Sequence, residues 1–333
     1  MAGLFVQKHV EAVRAQGCDV RVIHSQGWRD LMHQWRALRR EGWMPELVQL
    51  NVIQKQGLLA WWLNKRYGIP YVIVEHWSGY LPQNGQFMRM ARTTKRLYQR
   101  IAARAEMILS VSVTLQHAMQ ACGLQAKAWG TIDNVVDDFF YEERPNTASR
   151  KQIKPKTLLH VSCFDERAKN VKGLLRAAKM LSEKRQDWRL VLVGTGVDYE
   201  QVRTFARSLQ IPDGLLEWTG ELTPLQVAER MHRADALVLS SRYETYGVVL
   251  AEAAAAGLPI LSTPVGIAEE VADLIVPQEI AQNKPGTFAE FIETILWNPP
   301  TPNGQHPTNG RFTADAIGRK LKSVYDSCLH SHI

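Results

Sequence analysis

The chain has 333 residues, 45% hydrophobic and 22% charged, with 22 Gly and 15 Pro, a make-up that excludes disordered, collagenous and fibrous classes. At about 100 to 200 residues per domain the length predicts two domains, each able to bury its own core, with a ligand cleft expected between them. Forty Lys+Arg against 33 Asp+Glu leave a formal charge of +7, and the excess lies in residues 1–150, where 19 basic residues face 12 acidic ones.

The chain opens on a helical pattern over 5–16. β-rich runs follow at 20–24, 47–50, 71–74 and 107–111, and again at 158–162, 190–193, 215–219, 236–239 and 260–262, with amphipathic stretches such as 171–182 and 226–233 between them. Such alternation predicts parallel sheets covered on both faces, because parallel strands need crossover helices. The pattern breaks over 142–156, where Pro145, Asn146, Ser149 and Pro155 stand among basic residues, a linker signature. The prolines at 299, 300, 302 and 307 predict an extended connection to a last helix over 313–328. The expected organisation is therefore one domain over 1–147, a second over 148–310 and a C-terminal helix over 311–333 that packs back on the first domain. A doubly wound domain normally opens with a central strand, whereas this one opens with a helix. The first strand is expected to be missing, which would leave a gap between the runs 20–24 and 47–50 on one side and 71–74 on the other.

Residues 76–105 contain no carboxylate but carry Arg89, Arg92, Lys95, Arg96, Arg100 and Arg104. Spacings of three and four gather most of them on one side of a helix, suited to an anionic lipid surface; a solvated helix face is the alternative. Between Met88 and Arg104 the one aromatic residue is Tyr98, too little interleaving to favour nucleic acid. Cys18, Cys122, Cys163 and Cys328 are far apart and form no C-x-x-C pair, so neither a zinc site nor a disulfide framework is expected. No apolar run reaches the ~18 to 20 residues of a membrane span, and the start lacks signal-peptide features. A cytoplasmic protein is expected, peripheral at the inner face of the membrane, with Arg89, Arg92, Arg96 and Arg100 as the contact.

The most informative segment runs from Ser240 to Pro259 and follows a strand into a helix. Unpaired N–H groups of Gly247 and Val248 at that helix start, together with the helix dipole, make an anion site suited to a diphosphate. Glu244 and Glu252 stand eight residues apart, in the loop and on the helix, and a carboxylate accepts paired hydrogen bonds from vicinal hydroxyls. No Asp-x-Asp triplet occurs, and the one close His pair, His330 and His332, sits at the terminus, so metal-independent chemistry is expected. There is no Walker A sequence and no G-x-S-x-G. Gly194-Thr195-Gly196 lacks the third glycine of a dinucleotide fingerprint.

In the context Ser-x-x-Glu-x-Tyr-Gly, the Glu244-x7-Glu252 element resembles the retaining glycosyltransferase family 4 of the GT-B fold. Further matches in family order are 3–9 (GLFVQKH), 75–80 (EHWSGY), 134–137 (NVVD), 169–175 (KNVKGLL), 194–196 (GTG) and 257–259 (GLP). The resemblance implies an α/β chain of two doubly wound, Rossmann-like domains facing across a cleft, the domain over 1–147 binding the acceptor and the domain over 148–310 the donor. It implies transfer of a sugar from a nucleotide donor to an acceptor hydroxyl with retention of configuration, in cell-surface polysaccharide or glycolipid synthesis. His76, Lys169 and Glu244 would be catalytic, with Lys169 on the diphosphate, Glu244 on the donor sugar and Glu252 on the ribose. Gly3, Arg167, Thr245, Tyr246, Gly247 and Val248 would complete the donor site. The expected partners are a nucleotide sugar, as substrate rather than cofactor, and a glycan or lipid-linked acceptor. The sequence departs from the pattern at Cys163, where an Arg is usual and for which Arg167 is the candidate substitute, and at Gly266-Ile267, where two glycines are usual. The alternatives are an epimerase or phosphorylase on the same fold, and a non-catalytic nucleotide-sugar or nucleic-acid binding protein.

Overall fold

The computed structural model describes residues 2–25, 27–142, 155–299 and 310–330; most of the linker at 142–156 and of the proline-rich connection lies outside them. Two compact units result, Met1–Val135 with Thr313–Ile333, and Val136–Phe312. The division falls ahead of the boundary expected at 147 because residues 136–142 pack on the second unit. There the Val136 N–H donates to the Phe312 carbonyl (2.9 Å), the His232 ring donates to the Phe140 carbonyl (3.3 Å), and Phe140 is buried.

The first unit is built on four parallel strands, β1 (Val48–Asn51), β2 (Tyr71–Glu75), β3 (Met107–Ser110) and β4 (Ala128–Thr131), in that spatial order. Every residue of β2 is buried, as expected of a parallel strand covered on both faces. The helix Ala314–His330 sets Ile317 and Leu321 against Ala12 and Val13 of the helix Ala2–Ala15, in one cluster with Val74 and Leu109.

Three expectations fail in this unit. The run 20–24 forms no strand: Arg21, Val22 and His24 face solvent while Val20 and Ile23, three residues apart, pack on two different hydrophobic clusters, which a period of two would not do, and the Arg14 guanidinium holds the Val20 carbonyl at 2.7 Å. No gap interrupts the sheet either, because β1 pairs directly with β2 from Val48↔Tyr71 to Asn51↔Val74. The basic segment is also not one helix. It breaks at Met90 and Ala91, both extended, between Gln86–Arg89 and Arg92–Ala103. Arg92, Arg96 and Arg100 remain exposed together, opposite buried Tyr98, Ile101 and Ala102, whereas Arg89 turns to the Asn84 carbonyl at 2.9 Å.

The second unit carries six parallel strands, β5 (Lys156–Val161), β6 (Trp188–Val193), β7 (Leu216–Gly220), β8 (Ala236–Leu239), β9 (Ile260–Ser262) and β10 (Leu274–Ile275). Their spatial order is β10-β9-β8-β5-β6-β7. The helix Pro224–Arg233 starts from a capping box between Thr223 and Gln226 with proline at its first turn, which satisfies donors the helix cannot pair itself. Strand order reverses between β5 and β8. In open α/β sheets that reversal is where ligands bind, at the carboxyl ends of the two strands. Among the described residues of the chain, no helix is long and apolar enough to cross a membrane.

Candidate functional site

The loops leaving β5 and β8 bring Lys169 and Glu244 together across 75 residues of sequence, with Lys169 Nζ donating to Glu244 Oε1 at 2.5 Å. The Ser241 hydroxyl donates to the same oxygen at 2.8 Å. Burial alone would lower the Lys169 pKa, but the Glu244 carboxylate reverses that effect and holds it above the ordinary value. The ammonium is therefore charged at the reversal point of the sheet.

Arg242, to which the sequence pattern gave no role, ties the two loops. Its backbone N–H donates to the Ala168 carbonyl (2.6 Å), and its guanidinium reaches the Glu166 carbonyl and Asn170 Oδ1 (2.8 Å). The Ser240 hydroxyl adds a bond to the Lys169 carbonyl at 3.0 Å, and Ser241 is held through its own carbonyl by Thr263 and Gln278. Lys169 thus stands on a short helix, Glu166–Lys169, clamped at both ends. Arg167 on that helix is exposed. Burial raises the Tyr243 phenol, Asp165 adds to the rise, and Arg167 and Lys169 oppose it. Cys163 is an exposed free thiol.

Gly247, at φ 80°, turns the chain into the helix Val248–Ala255. A methyl group at Gly247 would lie 3.8 Å from Glu244 Cγ, so the carboxylate stands at the start of that helix, beside the N–H groups of Val248 and its neighbours. Tyr246 is buried, Thr245 is half-buried beside it, and Glu252 is half-buried one turn into the helix. The Ile267 N–H donates to the Tyr246 carbonyl at 2.9 Å. A second glycine is not needed at 267: its backbone does the holding and its side chain is buried. Among the described residues no three His, Cys, Asp or Glu side chains gather as a metal-ligand set.

Gly3 and His76 belong to the first unit. Gly3 lies in the opening helix, with nothing within 4 Å of the position a Cβ would take. His76 packs between Phe5 (ring centroids 6.3 Å apart, stacked) and His9 (5.9 Å). Burial first, and His9 second, depress its pKa to about 3. Its Nε2 is buried without a partner, so His76 acts, if at all, as a neutral imidazole.

Beside it lies Glu75, fully buried, whose carboxylate accepts the backbone N–H groups of Ile53 (3.0 Å), His76 (3.0 Å) and Trp77 (2.9 Å). Burial outweighs these bonds and pushes its pKa up to about 7. A carboxyl that holds its proton more tightly when folded stabilises the fold most below its unfolded value of 4.5 and loses that contribution as pH rises toward 7. His9 and His76, held neutral by burial, act in the opposite sense. The difference in unfolding free energy between the wild type and Glu75→Gln isolates the carboxyl. It is expected to move against the wild type by about 3 kcal/mol from pH 4.5 to pH 7.5. Denaturant midpoints at the two pH values check this, and a constant difference would refute it.

Residues 143–307 match the family model described as Glycosyl transferases group 1. N-acetyl-alpha-D-glucosaminyl L-malate synthase of Bacillus anthracis is 34% identical over 146 residues, covering 42% of this chain and 37% of that protein. D-inositol 3-phosphate glycosyltransferase of Segniliparus rotundus is 23% identical over 252 residues, 71% of this chain and 56% of that protein. The chain thus spans from about a third to just over half of the length of these curated relatives. Among solved structures, HepE of Anabaena in complex with UDP superposes with a TM-score of 0.69 at 18% identity, covering 90% of this chain and 82% of that one. The chain has the GT-B fold. Both units of such a chain are Rossmann-like, and the reversal point of the second falls within the segment matched by the family model.

Proposed function

We propose that the protein is a glycosyltransferase that moves a sugar from a nucleotide donor to an acceptor hydroxyl with retention of configuration, the second unit taking the donor and the first the acceptor. The observation that carries this reading is the Lys169–Glu244 pair at the β5/β8 reversal, beside the start of the helix Val248–Ala255. A diphosphate there meets an ammonium and free helix N–H groups together. Lys169 would neutralise charge developing on the departing nucleoside diphosphate. Glu244 would accept from donor-sugar hydroxyls and Glu252 from the ribose. In the retaining course favoured here the leaving phosphate takes the acceptor proton, which requires no protein base; neutral His76 would serve as a hydrogen-bonding partner of the sugar.

HepE is described in complexes with UDP and with UDP-glucose, so uridine diphosphate sugars are the first donors to test. A thermal-shift screen of nucleotide sugars should single out one family of donors, since a ligand at about 100 times its Kd stabilises by about 2.7 kcal/mol. Glu252→Ala should weaken that donor by about 1 to 3 kcal/mol. Calorimetric titration of the wild type and the variant checks it, and equal affinities would remove Glu252 from the ribose. The anomeric configuration of the product, read by NMR, decides retention.

A further inference from the structure

The first unit holds a cavity of about 470 Å3 at the carboxyl ends of β1 and β2, within the range of about 300 to 1,000 Å3 that small-molecule sites occupy. Its aromatic walls are Trp28, Trp77 and Tyr98, and its polar walls are Gln54, Lys55 and Gln56. The Trp77 ring is fixed: it presses on the backbone of Gly79, where a Cβ would sit 2.0 Å from it, and meets Tyr80 edge-on with centroids 5.0 Å apart.

The opposite wall is strained. Val52 has φ 64°, a left-handed conformation that a β-branched residue adopts at a cost of about 1 to 3 kcal/mol. It is kept there because the Val52 N–H is bound by the Val74 carbonyl (2.9 Å) and the Ile53 N–H by Glu75 (3.0 Å). The same Glu75 carboxylate binds the Trp77 N–H. One buried side chain therefore sets the spacing of both walls, which makes Glu75 a positioning residue for whatever fills the space between them. Strain held by such a knot is characteristic of a binding site rather than of packing alone.

The chemistry of the lining names a ligand class. Indole faces suit the C–H face of a pyranose ring, and two side-chain amides suit its hydroxyl rim, since each offers donors and an acceptor. Lys55 is the charged side chain among the lining residues and is exposed, and its ammonium has no hydrogen bond or ion pair within the described residues. We propose that this cavity binds a hexopyranose bearing a carboxylate or phosphate group, stacked between Trp77 and Trp28 with its anion on Lys55. The inference rests on the reading that the first unit takes the acceptor, and it gives that acceptor an anionic sugar as its recognised end.

Saturation-transfer NMR on the full chain tests it, with glucuronic acid, glucose 6-phosphate, glucose and inorganic phosphate as probes. The expected result is saturation of ring C–H protons in both charged sugars, with glucose several-fold weaker and inorganic phosphate unable to displace the sugars. Lys55→Ala, at an exposed position, should weaken the charged sugars about tenfold while leaving glucose unchanged. Trp28→Ala, also exposed, should weaken all three sugars. No saturation of any sugar, equal affinity for glucose and the charged sugars, or full displacement by phosphate alone would overturn the proposal. UDP is titrated in parallel: a wild type that fails to bind any nucleotide counts against the glycosyltransferase reading, and the sugar probes still decide the cavity.

Discussion

Lys169→Ala is expected to lower turnover with the cognate nucleotide sugar by about 10^2- to 10^3-fold, the usual effect of removing one group aimed at charge that develops during reaction. The same change strips Glu244 of its cation. Both side chains of the pair are mostly buried, at 15% and 13% exposed, and breaking such a pair by deleting one partner costs about 3 kcal/mol because a buried charge is left alone. The structural loss and the chemical loss are separable with Lys169→Met combined with Glu244→Gln. The double variant removes both charges and should recover most of the stability while recovering none of the turnover. Denaturant midpoints and steady-state kinetics on the two single variants and the double variant form the cycle. If the double variant regains activity with stability, the pair is structural and the donor reading of Lys169 fails. The cycle also bears on Glu244: its Oε1 accepts from both Lys169 and Ser241, so its removal should disturb diphosphate binding as well as the sugar contacts that the sequence motif implies.

Most of the second unit was legible in the sequence because its strands are short, continuous apolar runs such as 236–239 (ALVL), buried at every position. Gly257, just past the helix Val248–Ala255, adopts φ 61°, the left-handed position that closes a helix. What escaped was structure with no local signal. β4 reads 128–131 (AWGT), with a glycine inside it and no β-branched run, and β10 is two residues long. Both are held by their neighbours in the sheet rather than by propensity. The run 20–24 failed for the converse reason: it has strand-forming residues, but Val20 and Ile23 pack on two different hydrophobic clusters and Val22 faces solvent, so no period-two face is buried.

The candidate site was legible only in part. Glu244 and Gly247 stood out because residue type and spacing agreed with a strand-to-helix loop, whereas Lys169 came through the family resemblance. Arg242 did not, since an arginine in a polar loop carries no pattern, and its role emerges only when its guanidinium is seen to join two loops distant in sequence. Glu75 was hidden in the same way. In sequence it is the last residue of a strand beside a histidine; in the fold it is a fully buried carboxylate binding three backbone N–H groups from two segments. Long-range hydrogen bonding of this kind leaves no periodicity to read.

The loop 244–247 also depends on a contact that leaves no space for a side chain. A Cβ at Gly266 would lie 2.1 Å from the Tyr246 carbonyl oxygen and 2.5 Å from its carbon, and the residue has φ 56°. These neighbours are backbone, so no rotamer change relieves the clash. Gly266→Ala must push the loop 244–247 away, and with it Glu244 and the start of the helix Val248–Ala255, while also imposing a left-handed conformation on alanine. The expected loss is about 3 kcal/mol of stability, with nucleotide-diphosphate affinity falling at least tenfold, about 1.4 kcal/mol. Gly286→Ala is the control: it sits in the helix Pro285–Trp297, has nothing within 4 Å of its Cβ position and no positive φ, and should stabilise by about 0.5 to 1 kcal/mol. Thermal midpoints and UDP titration of the two variants are the measurements. Should Gly266→Ala melt with the wild type and bind UDP as tightly, the loop does not rest on that glycine, and the position of Glu244 at the helix start loses its physical explanation.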